Sequence, residues 1–227
     1  MDNTIEENLK EVRERIKNSC EKVGKEPAEI TLIAATKNVP PDRIKEAVKC
    51  GIKIIGENRV QEALSKYESI KESIRWHMIG HLQTNKVKKA IEFFEMIQSV
   101  DSMRLAEEIQ KRASNAGKVM DILAEVNTSQ EETKYGLKVE ETVKFLKRIR
   151  SFDNIRVKGL MTIGLFTQDP EKVRPCFKTL RNLKRDTEEA GIELEYLSMG
   201  MSSDFEVAIE EGSNIVRIGT LIFGKRD

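Results

Sequence analysis

Cysteine is scarce in this chain of 227 residues and poorly placed for crosslinking: Cys20, Cys50 and Cys176 are odd in number, scattered and without metal-ligand spacing. They point to a reducing compartment and buried thiols rather than a disulfide framework. Charge of one sign is lacking too, since 39 basic residues face 38 acidic ones and leave a net charge of +1. A field that small draws the chain neither to nucleic acid nor to a membrane. No apolar run approaches a membrane span, and the N-terminus is acidic where a secretory signal would be basic and apolar. These absences predict a cytoplasmic protein. With no low-complexity stretch or linker, residues 1–227 are expected to form one domain, a length that suits one α/β barrel.

What recurs is an alternation of short apolar segments with amphipathic ones. Ile5, Leu9, Val12, Ile16 and Val23 repeat at helical spacing, so a helix precedes the first strand. Strands are predicted at 31–36, 53–56, 75–80, 95–100, 119–127, 155–164, 193–199 and 214–219. Helical patterns lie between them, near 41–50, 57–72, 83–92, 102–116, 139–150, 170–190 and 202–212. Eight strands with seven intervening helices are the arithmetic of a TIM-like (β/α)8 barrel, the N-terminal helix filling the gap in the outer ring. A doubly wound open sheet is the alternative, but the regular period favours closure.

Polar and small residues collect where these strands run out, the end at which barrels keep their chemistry. Lys37 closes the apolar run that starts at Thr31, and Pro40 and Pro41 then open a helix. A lysine there can form a Schiff base if its surroundings keep the amine partly neutral, although most strand-end lysines are simply solvated. Barrels that bind phosphate commonly use the loops after strands seven and eight. Here those loops carry Gly200 with Ser202, and Gly219 with Thr220. The glycines let backbone N–H groups approach an anion, the hydroxyls add donors, and Ser202 is expected to open the next helix. The bland reading is that these glycines serve turns, and that Asp101-Ser102 and Ser202-Ser203-Asp204 are helix caps.

Arg217 lies two residues before Gly219, so both share one face of the last strand and point into the barrel. A buried guanidinium needs a partner, either a carboxylate or the ring nitrogen of a cofactor. Lysine, cradle and inward arginine together suggest pyridoxal 5′-phosphate (PLP). A class I aldolase with a phosphorylated substrate would use similar parts. His77 and His81 have the i, i+4 spacing of a metal motif but fall on a strand and its loop, with no third ligand cluster near, so no metal is expected. The basic run at 85–89 reads as a solvated helix face, and no tyrosine is singled out by its spacing.

The ordered motifs carry a resemblance. They are Ala34-Ala35-Thr36-Lys37, Gly56-Glu57-Asn58 with Val60-Gln61-Glu62, Trp76-His77-Met78-Ile79-Gly80 with Leu82-Gln83 and Asn85-Lys86, and Lys134-Tyr135-Gly136. Gly159-Leu160-Met161, the segment 197–202, and Val216-Arg217-Ile218-Gly219-Thr220 with Ile222-Phe223-Gly224 complete the set. Together they resemble the PLP homeostasis proteins, relatives of the alanine racemase N-terminal barrel. Thr36 stands where that family often has serine. The resemblance implies a PLP-binding barrel of that type, with Lys37 as the Schiff-base residue and phosphate contacts from Ser202, Gly219 and Thr220. It also implies that Arg217 faces the pyridine nitrogen, that Asn58 lines the site and that Met199 packs on the ring.

The family is associated with keeping free PLP low and supplying it to apoenzymes, without established turnover. By the resemblance the protein is therefore a carrier rather than an enzyme; a monomer is expected. A racemase-like enzyme is the alternative, because alanine racemase resembles this chain in using an arginine. The second base of a racemase comes from a further β domain, which the eight residues after Gly219 would not supply.

Overall fold

In the computed structural model, which describes residues 3–70, 74–167 and 169–224, eight parallel strands close into a barrel in sequence order. They are β1 (Thr31–Ala35), β2 (Ile54–Glu57), β3 (Arg75–Met78), β4 (Met96–Val100), β5 (Met120–Glu125), β6 (Ile155–Met161), β7 (Tyr196–Ser198) and β8 (Ile215–Ile218). Around them run α1 (Ile5–Val23), α2 (Pro41–Lys49), α3 (Val60–Ile70), α4 (Val87–Phe93), α5 (Met103–Asn115), α6 (Val139–Ile149), α7 (Pro170–Glu189), α8 (Phe205–Glu210) and a short α9 (Thr220–Phe223). Closure satisfies every strand edge, and the period-2 pattern divides the apolar residues into two layers. Ile33, Ile54, Met96, Leu123, Met161 and Ile215 fill the barrel interior. The alternate positions, such as Ala34, Ile55, Ile97, Ile122, Leu160 and Val216, pack outwards under the helices.

The N-terminal helix takes the place expected for it. Thr4 caps α1 in a capping box with Glu7, and Gly24, at φ 67°, ends it in the left-handed conformation. Ile5, Leu9, Val12, Ile16 and Cys20 are buried along one face. The helix packs against α2, α8 and α9. Arg15 makes a two-pronged bond to Glu206 at 3.2 and 2.8 Å, and Asn8 Nδ2 donates to Ile222 O at 3.0 Å. Among the described residues no helix is long and apolar enough to cross a membrane.

Several boundaries are shorter than the sequence pattern implies. The strand predicted at 193–199 is three residues long, because the Asn214 side chain accepts from Leu197 N and donates to Glu195 O, both at 2.8 Å. A side chain there replaces the ladder that a longer strand would make. The strand predicted at 155–164 stops at Met161, and the chain then turns at Gly164, φ 73°, whose N–H donates to Thr162 Oγ1. The helix predicted at 57–72 begins at Val60 and is followed to Ile70; residues 71–72 lie outside the described residues.

Candidate functional site at the carboxyl ends of the strands

Lys37 stands two residues beyond β1, half-buried, with Asn38 after it in the left-handed region at φ 59°. Pro40 and Pro41 follow and start α2 as expected. Lys37 shares a cavity of about 440 Å³ with Asn58, Arg59, Met78, His81 and Tyr135. The β3 end approaches Asn58 so closely that a Cβ on Gly80 would lie 2.5 Å from Asn58 O, which is why a glycine stands there. A larger cavity of about 880 Å³ opens at the foot of the barrel under α1, lined by Arg13, Ile30, Leu32 and Ile54 among others, away from the strand carboxyl ends.

The β1–β8 register sets Ala34 opposite Ile218, so the strand carrying Lys37 ends beside the turn of Gly219 and Thr220. Ser202 reaches that turn from the preceding loop: its Oγ accepts from Gly219 N at 3.2 Å and from Leu221 N at 3.5 Å. Two backbone donors therefore converge on the Ser202 hydroxyl at this turn. The expectation that Ser202 opens a helix is corrected. Helix α8 begins at Phe205 with Asp204 at the N-cap, and the Asp204 carboxylate accepts from Met201 N at 2.6 Å. Asp204 thus closes the turn ahead of α8 without capping the helix's own N–H groups, and Ser202 reaches across to the last strand's turn.

Arg217 points inwards and is almost wholly buried. Its Nη1 donates to Ser198 Oγ at 2.6 Å and its Nη2 to Thr162 O at 2.8 Å. Among the described residues no carboxylate forms an ion pair with it. Burial lowers its pKa to about 10, opposed by the charges of Asp204 and Glu125, so it stays cationic at neutral pH. The bonding continues through the barrel interior. Ser198 Oγ donates to Gln98 Oε1 at 2.7 Å, and the Gln98 amide nitrogen lies 3.0 Å from His77 Nδ1. Since the Gln98 oxygen is occupied, its NH₂ donates and His77 Nδ1 accepts, which puts the ring proton on Nε2. Burial, with Arg75 adding to it, holds the His77 pKa down at about 3, so the ring is neutral.

Glu125, at the end of β5, shares this interior. Burial raises its pKa to about 7, the Asp101 charge adds to the shift and Arg217 opposes it; Oε2 has no hydrogen-bond partner. Neither Gln98 nor Glu125 is singled out by sequence pattern. A polar residue at an inward strand position was the available signal.

Met199 does not lie where the resemblance implied. Ser198, the last residue of β7, faces inwards to Arg217, and the Met199 side chain that follows it is fully buried in the outer core, not open to the barrel mouth. The histidines separate: His77 lies in the interior, while His81 pairs with Asp101 at 3.2 Å and stacks on Tyr135, ring centroids 3.7 Å apart. Among the described residues no group of three or more His, Cys, Asp or Glu could hold a metal. Ser102 caps α5 through Leu105 N, the bland role expected of it.

Comparison with known proteins agrees with the fold. Residues 3–227 match the family model of the alanine racemase N-terminal domain. A curated relative from Aquifex aeolicus, a pyridoxal phosphate homeostasis protein, is 49% identical over 222 residues, covering 97% of each chain. The solved structure of PipY from Synechococcus elongatus with PLP bound is 32% identical, with a TM-score of 0.86 over 97% of this chain and all of that one. Alanine racemase from Clostridium difficile shares the fold at 18% identity and a TM-score of 0.75, and this chain spans 57% of it. The chain belongs to the pyridoxal phosphate homeostasis protein family, whose barrel is that of the alanine racemase N-terminal domain.

Proposed function

We propose that this protein binds PLP at the carboxyl ends of its strands and works in PLP homeostasis, holding the cofactor and supplying it to apoenzymes without turnover of its own. The observation that carries this reading is Arg217: a buried cation whose partners are a hydroxyl and a carbonyl, on the strand that pairs with the one leading to Lys37. A desolvated guanidinium with no acid to pair with suits the lone pair of a pyridine nitrogen. Lys37 provides the Schiff-base amine, Ser202, Gly219 and Thr220 the phosphate contacts, and Asn58 a lining group. The fit is supported by the PLP held in PipY.

PLP, when bound, supplies an electrophilic aldehyde and an electron sink whose strength depends on protonation of the ring nitrogen. Arg217 keeps its own protons at neutral pH, so it donates a hydrogen bond without transferring a proton, and the ring stays a weak sink. The arginine alone does not separate a carrier from a racemase, since alanine racemase resembles this chain in using one; the carrier reading is supported by the relatives named pyridoxal phosphate homeostasis proteins. The purified protein with PLP should be yellow, and borohydride followed by peptide mass spectrometry should find the pyridoxyl group on Lys37. The loaded protein should reactivate PLP-dependent apoenzymes. Racemisation of an amino acid at about 1 s⁻¹ or faster, an ordinary enzymatic rate, would favour the racemase-like reading instead.

A further inference from the structure

A buried ion cluster holds the backbone on both sides of Lys37. Lys66, on α3, is 6% exposed, and its ammonium donates to Thr36 O at 2.7 Å, Glu57 Oε1 at 2.9 Å and Glu62 Oε1 at 2.7 Å. Three acceptors use all three of its donors. Thr36 is the residue before Lys37. The residue after it, Asn38, donates its N–H to the same Glu62 oxygen at 2.5 Å. A third tie runs from Thr36 Oγ1 to Glu57 Oε1 at 2.6 Å. The carbonyl preceding Lys37 and the amide following it therefore hang on one ammonium and its acids.

Stability gives little reason for such a cluster. Well-packed apolar side chains commonly do as well as a buried ion group, because desolvation costs so much. Glu57 shows that cost: burial raises its pKa, despite bonds from Thr36 and Lys66, and its Oε2 has no partner. What the cluster provides is geometry. Asn38 holds a positive φ, a conformation asparagine tolerates better than most non-glycine residues but which neighbouring bonds help to fix. The bond to Glu62 is one of these.

We propose that Lys66, held between Glu57 and Glu62, is a positioning residue for Lys37, fixing the strand end so that the amine is presented to a PLP aldehyde. The inference rests on the cofactor reading given above. None of the three side chains touches the phosphate cradle at Ser202 and Gly219. Their effect should therefore fall on the covalent bond to PLP and not on phosphate capture, since small displacements of a reacting group carry large penalties.

The test compares PLP with pyridoxine 5′-phosphate, which has an alcohol in place of the aldehyde and cannot form the imine. K66M and E62A should each weaken PLP binding by about tenfold and reduce the pyridoxyl label trapped on Lys37, the scale of one lost charge-assisted bond. Affinity for pyridoxine 5′-phosphate should change by less than about twofold, well under that scale. E62Q, which keeps an oxygen for Asn38 N–H and Lys66, should recover part of the PLP loss. Should K66M not fold, E62A carries the test, because the Glu62 side chain is 20% exposed and its loss leaves Lys66 bonded to Glu57 and Thr36. Equal loss of both ligands would make the cluster merely structural and overturn the proposal, as would unchanged PLP affinity. A parent protein that binds neither ligand would overturn the cofactor reading itself.

Discussion

Glu125 is a carboxyl whose burial has a measurable signature. Its pKa rises from 4.5 to about 7, burial being the main cause. Between those values the folded protein binds more protons than the unfolded chain, so stability falls as pH rises through that window and levels off above it. The full effect is on the order of 3 kcal/mol at 1.36 kcal/mol per pH unit, before relaxation of the site. Unfolding of Glu125→Gln followed from pH 4.5 to 7.5 should lack this decline, and a slope equal to the parent's would show that the carboxyl is solvated. Gly80 is a second single-residue case. Gly80→Ala places a Cβ 2.5 Å from Asn58 O and 2.7 Å from Asn58 Cα, both backbone atoms that yield only by moving the β2 end. It should cost about 2 kcal/mol in chemical unfolding and weaken PLP binding with it.

Between elements, the bonds from Arg217 through Ser198 and Gln98 to His77 tie β8, β7, β4 and β3 together inside the barrel. Gln98→Leu removes the Ser198 acceptor and the donor to His77, leaving buried polar atoms unpaired. It should lower the urea midpoint by an amount equivalent to about 1–3 kcal/mol with an unchanged m-value. The α1 capping box is a more exposed case. Thr4→Ala should cost about 1 kcal/mol. The loss should be read in the same global transition, because α1 buries a whole face against the barrel. A separate early transition would show instead that the helix is not part of the cooperative core.

Ligand linkage acts on the whole molecule. PLP that binds the folded barrel and not the unfolded chain should raise the melting temperature, by about 2.7 kcal/mol of added stability at a hundred times Kd. Lys37→Ala should lose most of that rise, while His81→Ala, altering a residue that pairs with Asp101 at the cavity rim, should keep it. The closed barrel, the N-terminal helix and the strand-end placement of Lys37, Gly219 and Thr220 were legible along the chain. Each is a local pattern: alternation within a strand, periodicity within a helix, a turn residue where an apolar run stops. Ser202 was legible as a hydroxyl in the loop after the seventh strand but not as to its geometry, because the helix starts only at Phe205 and Ser202 reaches across to the turn of Gly219.

The sequence by itself determined the order and number of strands, the end of the barrel that carries polar groups, and where along the strands Lys37, Arg217 and Gly219 fall. These follow from short-range rules on which apolar spacing and backbone sterics act directly. The tertiary structure alone decided what those residues touch. Arg217 rests on Ser198 and Thr162 rather than on an acid. Lys66 reaches back 30 residues to hold Thr36, and Gln98 meets Ser198 across 100. Such pairs lie far apart along the chain and become neighbours only when the sheet closes. Inside, most buried polar atoms find a partner among whatever closure brings near, and no local spacing encodes that choice.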